Sequence, residues 1–176
     1  FFYGNGLSIK LRKIKNKNSG ATVITFKVQN PEDYGVLKFK NNKVVDIIEK
    51  PLTKVSNQAV TGLYFYNKNV IKYAKKLKFS KRNELEISDI NKMYLDDKKL
   101  NYVLLERGFT WLDAGNPNYL LKATQFVSIL EERQGLKIAC IEEIALRNNW
   151  IKLKQLKNIA LKMKDSNYKK YLLQIC

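Results

Sequence analysis

The sequence predicts an α/β fold in which a mixed sheet is flanked by helices and followed by a helical C-terminal tail. Up to about residue 135, segments rich in β-branched and aromatic residues alternate with segments whose apolar residues recur at helical spacing, a pattern typical of α/β domains. Two short apolar runs, 36–39 and 43–50, are joined through an Asn pair and predict a hairpin. Because the strands of a hairpin are antiparallel, the sheet is expected to be mixed.

Three further segments are predicted to be strands. Residues 21–28 ("ATVITFKV") alternate with β-branched side chains, 59–67 ("AVTGLYFYN") are apolar and aromatic, and 100–107 ("LNYVLLER") return to the strand pattern. Pro51 is expected to end the hairpin, because proline has no N–H for the ladder. Gly62 lies inside a predicted strand, which indicates a bulge or the close approach of another group to the backbone.

Two helices are predicted between the last two of these strands. In 69–78 the apolar residues share one helical face. A second helix, 84–97, is expected to begin near Asn83, because Asn83 and Glu86 have the spacing of a capping box.

The C-terminal part is predicted to be helical throughout. Asn116 and Pro117 are typical of a helix start and Gly135 of a helix end, which predicts a helix over 117–134. Residues 141–176 are expected to form two or three short amphipathic helices. The expected buried stripe of the long helix consists of Leu120, Ala123, Val127 and Leu130.

The composition narrows the chemistry that is open to this chain. No histidine occurs among its 176 residues, which excludes Ser-His-Asp and Cys-His catalysis and most zinc sites. Any catalysis must therefore use carboxylates, Lys, Arg, Tyr, backbone amides and hard metal ions. The two cysteines, Cys140 and Cys176, form no disulfide framework, and two lone thiols indicate a reducing cytoplasm.

The net charge, the apolar runs and the first residue each indicate something about the context of this chain. The net charge of +17 suggests nucleic-acid binding at first, but the lysines are spread over most of the chain, so no nucleic-acid partner is expected. No apolar run of 18 residues occurs, so no membrane-spanning helix is expected. The first residue is Phe rather than Met, which predicts that the chain begins inside a longer reading frame or after processing.

Four short stretches carry candidate functional residues. They are "EDYGVLKF" (32–39), "IIEKP" (47–51), "SKRNELEISDIN" (80–91) and "TWLDAG" (110–115). Each has an ordinary structural explanation when it is taken alone. Tyr-Gly is typical of a turn, Glu-Lys-Pro of an exposed strand end, and Arg82 of a lysine-rich surface loop. Asp113 has the features of an acid that is favoured before a helix N-terminus.

In this order the motifs resemble the sugar-phosphate nucleotidylyltransferases, and among them the short bacterial glucose-1-phosphate thymidylyltransferases. The resemblance covers nearly the whole chain and implies a partial nucleotidylyltransferase fold, which is Rossmann-like. It divides the chain into a sugar-phosphate-binding part, 1–135, and a helical segment for assembly or effector binding, 136–176. The matching stretches are "SGATV", "YGV", "EKP", "AVTGLYFYN", "ELEISDIN", "RGFTWLDAG", "EERQGLKIACIEEIA" and "YLL".

The resemblance also implies a reaction. In that family an oxygen of glucose 1-phosphate attacks the α-phosphorus of dTTP, which forms dTDP-glucose and releases pyrophosphate. Positioning and charge neutralisation carry most of such a reaction. A bound Mg²⁺ suits it, and the resemblance makes Asp113 one of two carboxylates on that ion.

The remaining roles come from the same resemblance. Lys50 and Arg82 are expected to hold phosphate oxygens as the catalytic residues. Glu49 is expected to accept hydrogen bonds from glucose hydroxyls. The resemblance implies that the rest of the sugar pocket is formed by Tyr34, Gly35, Val60 and Gly62.

One part of the family pattern does not occur in these residues. The Gly-rich loop that holds the nucleotide triphosphate, and the other metal-binding Asp, would precede "FFYGNG", so the chain resembles about the second three-fifths of such an enzyme. Residues 1–176 are therefore expected to be inactive alone. The alternative is a non-catalytic remnant of a split or degraded gene, or one half of a two-chain enzyme. The family resemblance also predicts a homo-oligomer, usually a tetramer.

Overall fold

A computed structural model describes residues 1–80 and 82–176, which form two compact units. The larger unit contains residues 2–111, and the smaller contains Phe1 together with 112–176. The functional division at residue 135 that the sequence suggested stays a prediction.

A five-stranded sheet forms the centre of the larger unit. The strand order is β4-β3-β5-β2-β6, in which β2 and β6 are parallel and the remaining pairs are antiparallel. The predicted mixed sheet is thus confirmed. The strands are β2 (Ala21–Lys27), β3 (Gly35–Lys40), β4 (Lys43–Glu49), β5 (Gln58–Tyr66) and β6 (Leu100–Leu105).

The hairpin turn between β3 and β4 explains the Asn pair. Asn41 and Asn42 both have left-handed backbones, with φ of 51° and 59°. Asn tolerates this conformation better than most residues, and two such residues in succession match the twist of the flanking strands.

The interior of the sheet is organised by β2, whose first five residues are buried. Its register with β5 shifts between Val23, opposite Tyr64, and Thr25, opposite Val60. Three residues of β5 therefore face Ile24 alone, and Gly62 is the middle one, so the predicted bulge is confirmed. At the bulge the Thr61 hydroxyl donates a 3.0 Å hydrogen bond to the Ile24 carbonyl, which satisfies a buried acceptor.

Three elements at the ends of the larger unit were not predicted. They are β1 (Phe2–Gly4), α1 (Leu7–Lys17) and β7 (Phe109–Trp111), and β1 pairs antiparallel with β7. The helix α1 has five basic residues and no acidic one, so the sequence suggested only a charged run. Its Lys10 ammonium lies 3.5 Å from the Leu104 carbonyl and 5.1 Å from the Phe109 ring centre, and these contacts hold the helix against the sheet.

The two helices between β5 and β6 differ from the prediction at their ends. The first, α2 (Val70–Ala74), is shorter than the predicted 69–78 because Lys76 and Leu77 donate to the carbonyls three residues back, which closes a tight turn.

The second, α3 (Ile87–Asp96), has Glu86 rather than Asn83 as its N-cap, so the predicted capping box is wrong. Asn83 has φ of 60° and belongs to a turn. The Glu86 carboxylate accepts from the Ser80 hydroxyl instead of the Asn83 amide.

The smaller unit contains four helices among its described residues: α4 (Pro117–Gln134), α5 (Ile141–Arg147), α6 (Leu153–Lys162) and α7 (Asn167–Gln174). The predicted start of α4 is confirmed, because the Asn116 side chain accepts from the Tyr119 amide. Its end is confirmed by Gly135, with φ of 65°. The predicted buried stripe is wrong in part: Ala123 is buried, whereas Leu120 is 54% exposed.

The three short helices of the tail share a core. Its buried residues are Cys140, Leu156, Ala160, Tyr171 and Leu172, and Leu146 and Ile151 pack against them. Ile144 remains exposed.

Within the part of the chain that the structure describes, no helix combines the length and the apolar character needed to cross a bilayer.

We expect residues 1–176 to self-associate. β3 pairs with β5 only at Val36 and Ala59, so the described residues leave most of that β5 edge without a partner strand, and such edges promote association. The charge of +17 opposes contact, so association should strengthen when salt screens it, since the Debye length is about 10 Å at 0.1 M. Sedimentation velocity at low and high salt tests this. A monodisperse monomer at both salt concentrations would contradict it.

Candidate functional site

The β3–β4 hairpin brings together the first residue of one strand and the last residue of the other. Gly35 lies directly opposite Glu49 in the register. One step beyond, the Lys50 amide donates a 3.0 Å hydrogen bond to the Tyr34 carbonyl. Four of the predicted site residues are therefore neighbours because of strand pairing alone.

The Glu49 carboxylate folds over the backbone of Gly35. A Cβ atom at position 35 would lie 2.7 Å from Glu49 Oε2, which is a clash. Only glycine allows the carboxylate to occupy this place, so the requirement for glycine at 35 is one of space. The side chain of Glu49 is 28% exposed and can still be reached from solvent.

Ser88, in the first turn of α3, fixes the orientation of this carboxylate. Its hydroxyl donates a 2.6 Å hydrogen bond to Glu49 Oε2, and the serine is 5% exposed. Ser88 was not among the site residues predicted from the sequence. No local signal could have found it, because its partner lies 39 residues away.

Arg82 lies beside the same carboxylate, within a group of acids. Its guanidinium is 2.9 Å from Glu84, 3.5 Å from Glu86 and 4.0 Å from Glu49. The Arg82 side chain is 41% exposed, so these pairs contribute little to stability. Arg82 can therefore turn to another anion at small cost.

Lys50 is exposed and has a left-handed backbone, with φ of 43°. Such a φ is uncommon for a residue with a side chain. The hydrogen bond to Tyr34 on one side and Pro51 on the other hold this conformation, in which Lys50 follows Glu49 directly.

The other predicted pocket residues are Val60 and Gly62, on β5, and Tyr34, which directly precedes β3. The Tyr34 ring is 5.0 Å from the Trp111 ring centre, and Trp111 is 6.3 Å from that of Phe26. Val60 is half-buried against the core around Leu37. Gly62 is exposed, and nothing lies within 4 Å of the position that its Cβ would take.

Tyr64 reports on the electrostatics of this region. Burial and, to a smaller extent, the negative charge of Glu49 together raise the pKa of Tyr64 to about 12. Both effects disfavour a second negative charge. Tyr64 and Glu49 therefore lie close enough to interact electrostatically.

Asp113 belongs to the smaller unit. Its Oδ1 accepts a 2.8 Å hydrogen bond from the Ala114 amide. A Cβ at position 115 would lie 2.9 Å from Oδ2, so Gly115 leaves room for the carboxylate. Among the described residues, no group of three or more His, Cys, Asp or Glu could hold a metal ion.

The fold and this site define a class of protein. A family model described as nucleotidyl transferase matches residues 1–129, and the chain belongs to that family.

Particular relatives within the family carry a more specific name. The chain is 45% identical over 175 residues to a glucose-1-phosphate thymidylyltransferase of Neisseria meningitidis serogroup A, which covers 99% of the chain and 61% of that relative. It is 43% identical over 175 residues to a protein of the same name from Mycobacterium tuberculosis, covering 99% of the chain and 60% of the relative. The chain thus spans about three-fifths of the length of the curated relatives it matches.

Two solved structures support the fold. A Bacillus anthracis protein assigned as a glucose-1-phosphate thymidylyltransferase, in complex with sucrose, has a TM-score of 0.62 and 37% identity, covering 72% of this chain and 50% of that one. A UDP-glucose pyrophosphorylase complexed with UDP-glucose has a TM-score of 0.58 and 22% identity, covering 66% and 47%. The second shows the likeness of fold alone.

We expect alkaline pH to destabilise the protein through Tyr64. Folding raises the pKa of Tyr64 from 10.0 to about 12, so the folded state keeps a proton that the unfolded state loses. The stabilising contribution is complete below pH 10 and is lost between pH 10 and 12, at most about 2–3 kcal/mol. Tyr64→Phe should reduce this loss in urea unfolding at pH 9 to 11.5.

Glu49→Gln serves as the matched control for this experiment. It removes the smaller of the two causes and leaves the burial, so it should reduce the loss only in part. A variant Tyr64→Phe with the same pH dependence as the parent chain would contradict the assignment.

Proposed function

We propose that this chain is the sugar-phosphate-binding part of a glucose-1-phosphate thymidylyltransferase. In the proposed reaction, a phosphate oxygen of glucose 1-phosphate forms a bond to the α-phosphorus of dTTP, and the bond to pyrophosphate breaks, which gives dTDP-glucose. The observation that carries the proposal is the Glu49 carboxylate, held over Gly35 by Ser88 and placed within 4.0 Å of Arg82. This arrangement places an acceptor for sugar hydroxyls beside a cation that can bind phosphate.

The sugar side of the proposal rests on Glu49 and Gly35. An ionised carboxylate only accepts hydrogen bonds, so it suits the hydroxyls of a hexose. Ser88 occupies Oε2, which leaves Oε1 to face Arg82 or a ligand. Gly35 offers a backbone without a side chain, and Tyr34, Val60 and Gly62 are proposed to complete the walls.

The phosphate side rests on Lys50 and Arg82. Lys50 directly follows the hairpin, Arg82 lies in the loop before α3, and both are exposed. The guanidinium would exchange its weak pairs with Glu84 and Glu86 for phosphate oxygens, which it can bind through two N–H groups at once. Their positive charge would neutralise the charge that develops on the phosphates during transfer.

Asp113 is the residue proposed to hold Mg²⁺. Magnesium in such enzymes is held by one or two carboxylates together with substrate phosphates. Asp113 would therefore supply only part of the coordination shell, and substrate phosphates would supply more of it. When bound, the ion would neutralise phosphate charge. Asp113 contributes one oxygen, oriented through the Ala114 amide.

Assembly into a homo-oligomer is also proposed. The smaller unit exposes large apolar side chains, including Ile141 at 72% and Trp150 at 73%. Such residues are typical of interfaces when they are grouped. Ile144 belongs with them, whereas Leu146 and Ile151 are occupied within the tail core.

We expect Glu49→Gln to weaken the binding of glucose 1-phosphate to residues 1–176. A neutral amide removes the charged acceptor, which is a loss of roughly ten- to a hundredfold in affinity. Equilibrium dialysis with labelled glucose 1-phosphate measures it. The matched control is Glu106→Gln, an exposed acid in the turn after β6, which should bind like the parent chain. Equal affinities of the two variants would contradict the role of Glu49.

We expect no dTDP-glucose from residues 1–176 alone, because they contain no Gly-rich loop for the triphosphate. Activity should appear when a nucleotide-binding segment from a relative is supplied as a fusion. In that fusion Asp113→Asn should lower kcat by about two to three decades, a typical cost of losing a major electrostatic contact. Turnover by the chain alone, or full activity of the Asp113→Asn fusion, would each contradict a part of the proposal.

A further inference from the structure

A cavity of about 300 Å³ lies between α1 and the parallel strands β2 and β6. Thr22 and Asn101 are directly opposite each other in the register and form its floor with Val103. Lys13, Ile14 and Lys17, from α1, line the other side. Three elements of the larger unit thus converge on it.

This cavity is separate from the candidate sugar-phosphate site. Ala21 packs into the core with Tyr73 and Ile90, on α2 and α3. Because successive side chains of a strand point to opposite faces, Thr22 faces the other side of the sheet. The cavity therefore lies across the sheet from α3, the helix that carries Ser88.

The charge of the cavity is not compensated. Neither Lys13 nor Lys17 has an ion-pair partner among the described residues, and the first 31 residues of the chain contain no acid. By contrast, the cavity lined by Lys137 and Arg147 has both of its cations paired, with Glu131 and Glu143. Free ammonium groups beside a concave surface attract anions.

The spacing and the neutral residues indicate what kind of anion fits. Lys13 and Lys17 are four positions apart on a helix, so their Cα atoms lie about 6 Å apart along the axis on the same face. Two flexible ammonium groups at this spacing can contact adjacent phosphates. Ile14 and Val103 add an apolar wall, which bare phosphate would not use.

The Thr22 hydroxyl and the Asn101 amide are the uncharged polar groups that line the cavity. Thr22 is 5% exposed and donates its proton to Asn18 at 3.0 Å, so towards the cavity its oxygen can only accept. Asn101 can both donate and accept. This pair suits a ligand that carries hydroxyl groups.

We propose that this cavity binds a diphosphate ester of a small hydroxylated organic group. Lys13 and Lys17 would contact the phosphates, and Ile14 and Val103 would pack against the organic group. Its occupant would bridge α1 to β2 and β6. The site needs neither Glu49 nor Arg82, so it stands independently of the proposed sugar-phosphate site.

Equilibrium dialysis with ADP and with inorganic pyrophosphate as probes tests the proposal on residues 1–176. ADP is expected to bind saturably and more tightly than pyrophosphate, because only ADP reaches the apolar wall. The double variant Lys13→Gln/Lys17→Gln should weaken ADP binding roughly tenfold or more, since charge-assisted contacts to phosphate are the stronger class of hydrogen bond. Glutamine keeps the helix propensity of lysine, so α1 should remain folded.

The matched control is Arg12→Gln/Lys15→Gln, which removes the same charge from α1 at positions that do not line the cavity. It should bind ADP within about twofold of the parent chain, as expected for a screened effect of distant charge. Equal weakening in both double variants would overturn the site in favour of diffuse attraction. Equal affinity for ADP and pyrophosphate would overturn the apolar contact, and the absence of saturable binding would overturn the proposal.

Discussion

The larger unit depends on one constraint, which is the burial of β2 between two strands that run in opposite directions. A buried strand must satisfy every backbone N–H and C=O within the protein, and β5 and β6 provide the two ladders. Where the ladder to β5 is interrupted, Thr61 replaces it with a side-chain hydroxyl at the Ile24 carbonyl. The same strand then separates the two faces, with α2 and α3 on one and α1 on the other.

The candidate site lies at the open end of the β3–β4 hairpin, where strand pairing ends and side chains are accessible to solvent. Glu49 ends its strand opposite Gly35, and Ser88 reaches the carboxylate from a helix that packs on β4. Acceptor and cation neutralise each other there, because Arg82 faces Glu49 as well as two further acids. In the proposed function, a sugar phosphate would supply both complementary parts, hydroxyl donors and an anionic group, and would replace these internal pairs without leaving an isolated charge.

Elements with local signals could be predicted from the sequence, and those set by distant contacts could not. The strands and the Asn pair follow from alternation and from tolerance of left-handed φ. The helix α1 has a left-handed Gly6 at its start and no side-chain cap, so its position comes from contacts with β6 and β7.

Asn83 and Glu86 had the right spacing for a capping box, but the Glu86 carboxylate contacts Ser80 and Arg82 instead. Tyr34, Gly35, Glu49 and Lys50 could be grouped because they flank one hairpin.

The bulge in β5 has a consequence for how this strand can change in evolution. Between Val60 and Tyr64 it carries three residues where β2 carries one, an excess of two. An even excess preserves the alternation of faces, which is why Val60 and Tyr64 both pack into the core around Val23. Loss of two residues around Gly62 would shorten the strand without inverting it. Loss or gain of a single residue would turn Tyr64 and Tyr66 to the wrong face, so insertions and deletions here should be accepted only in pairs.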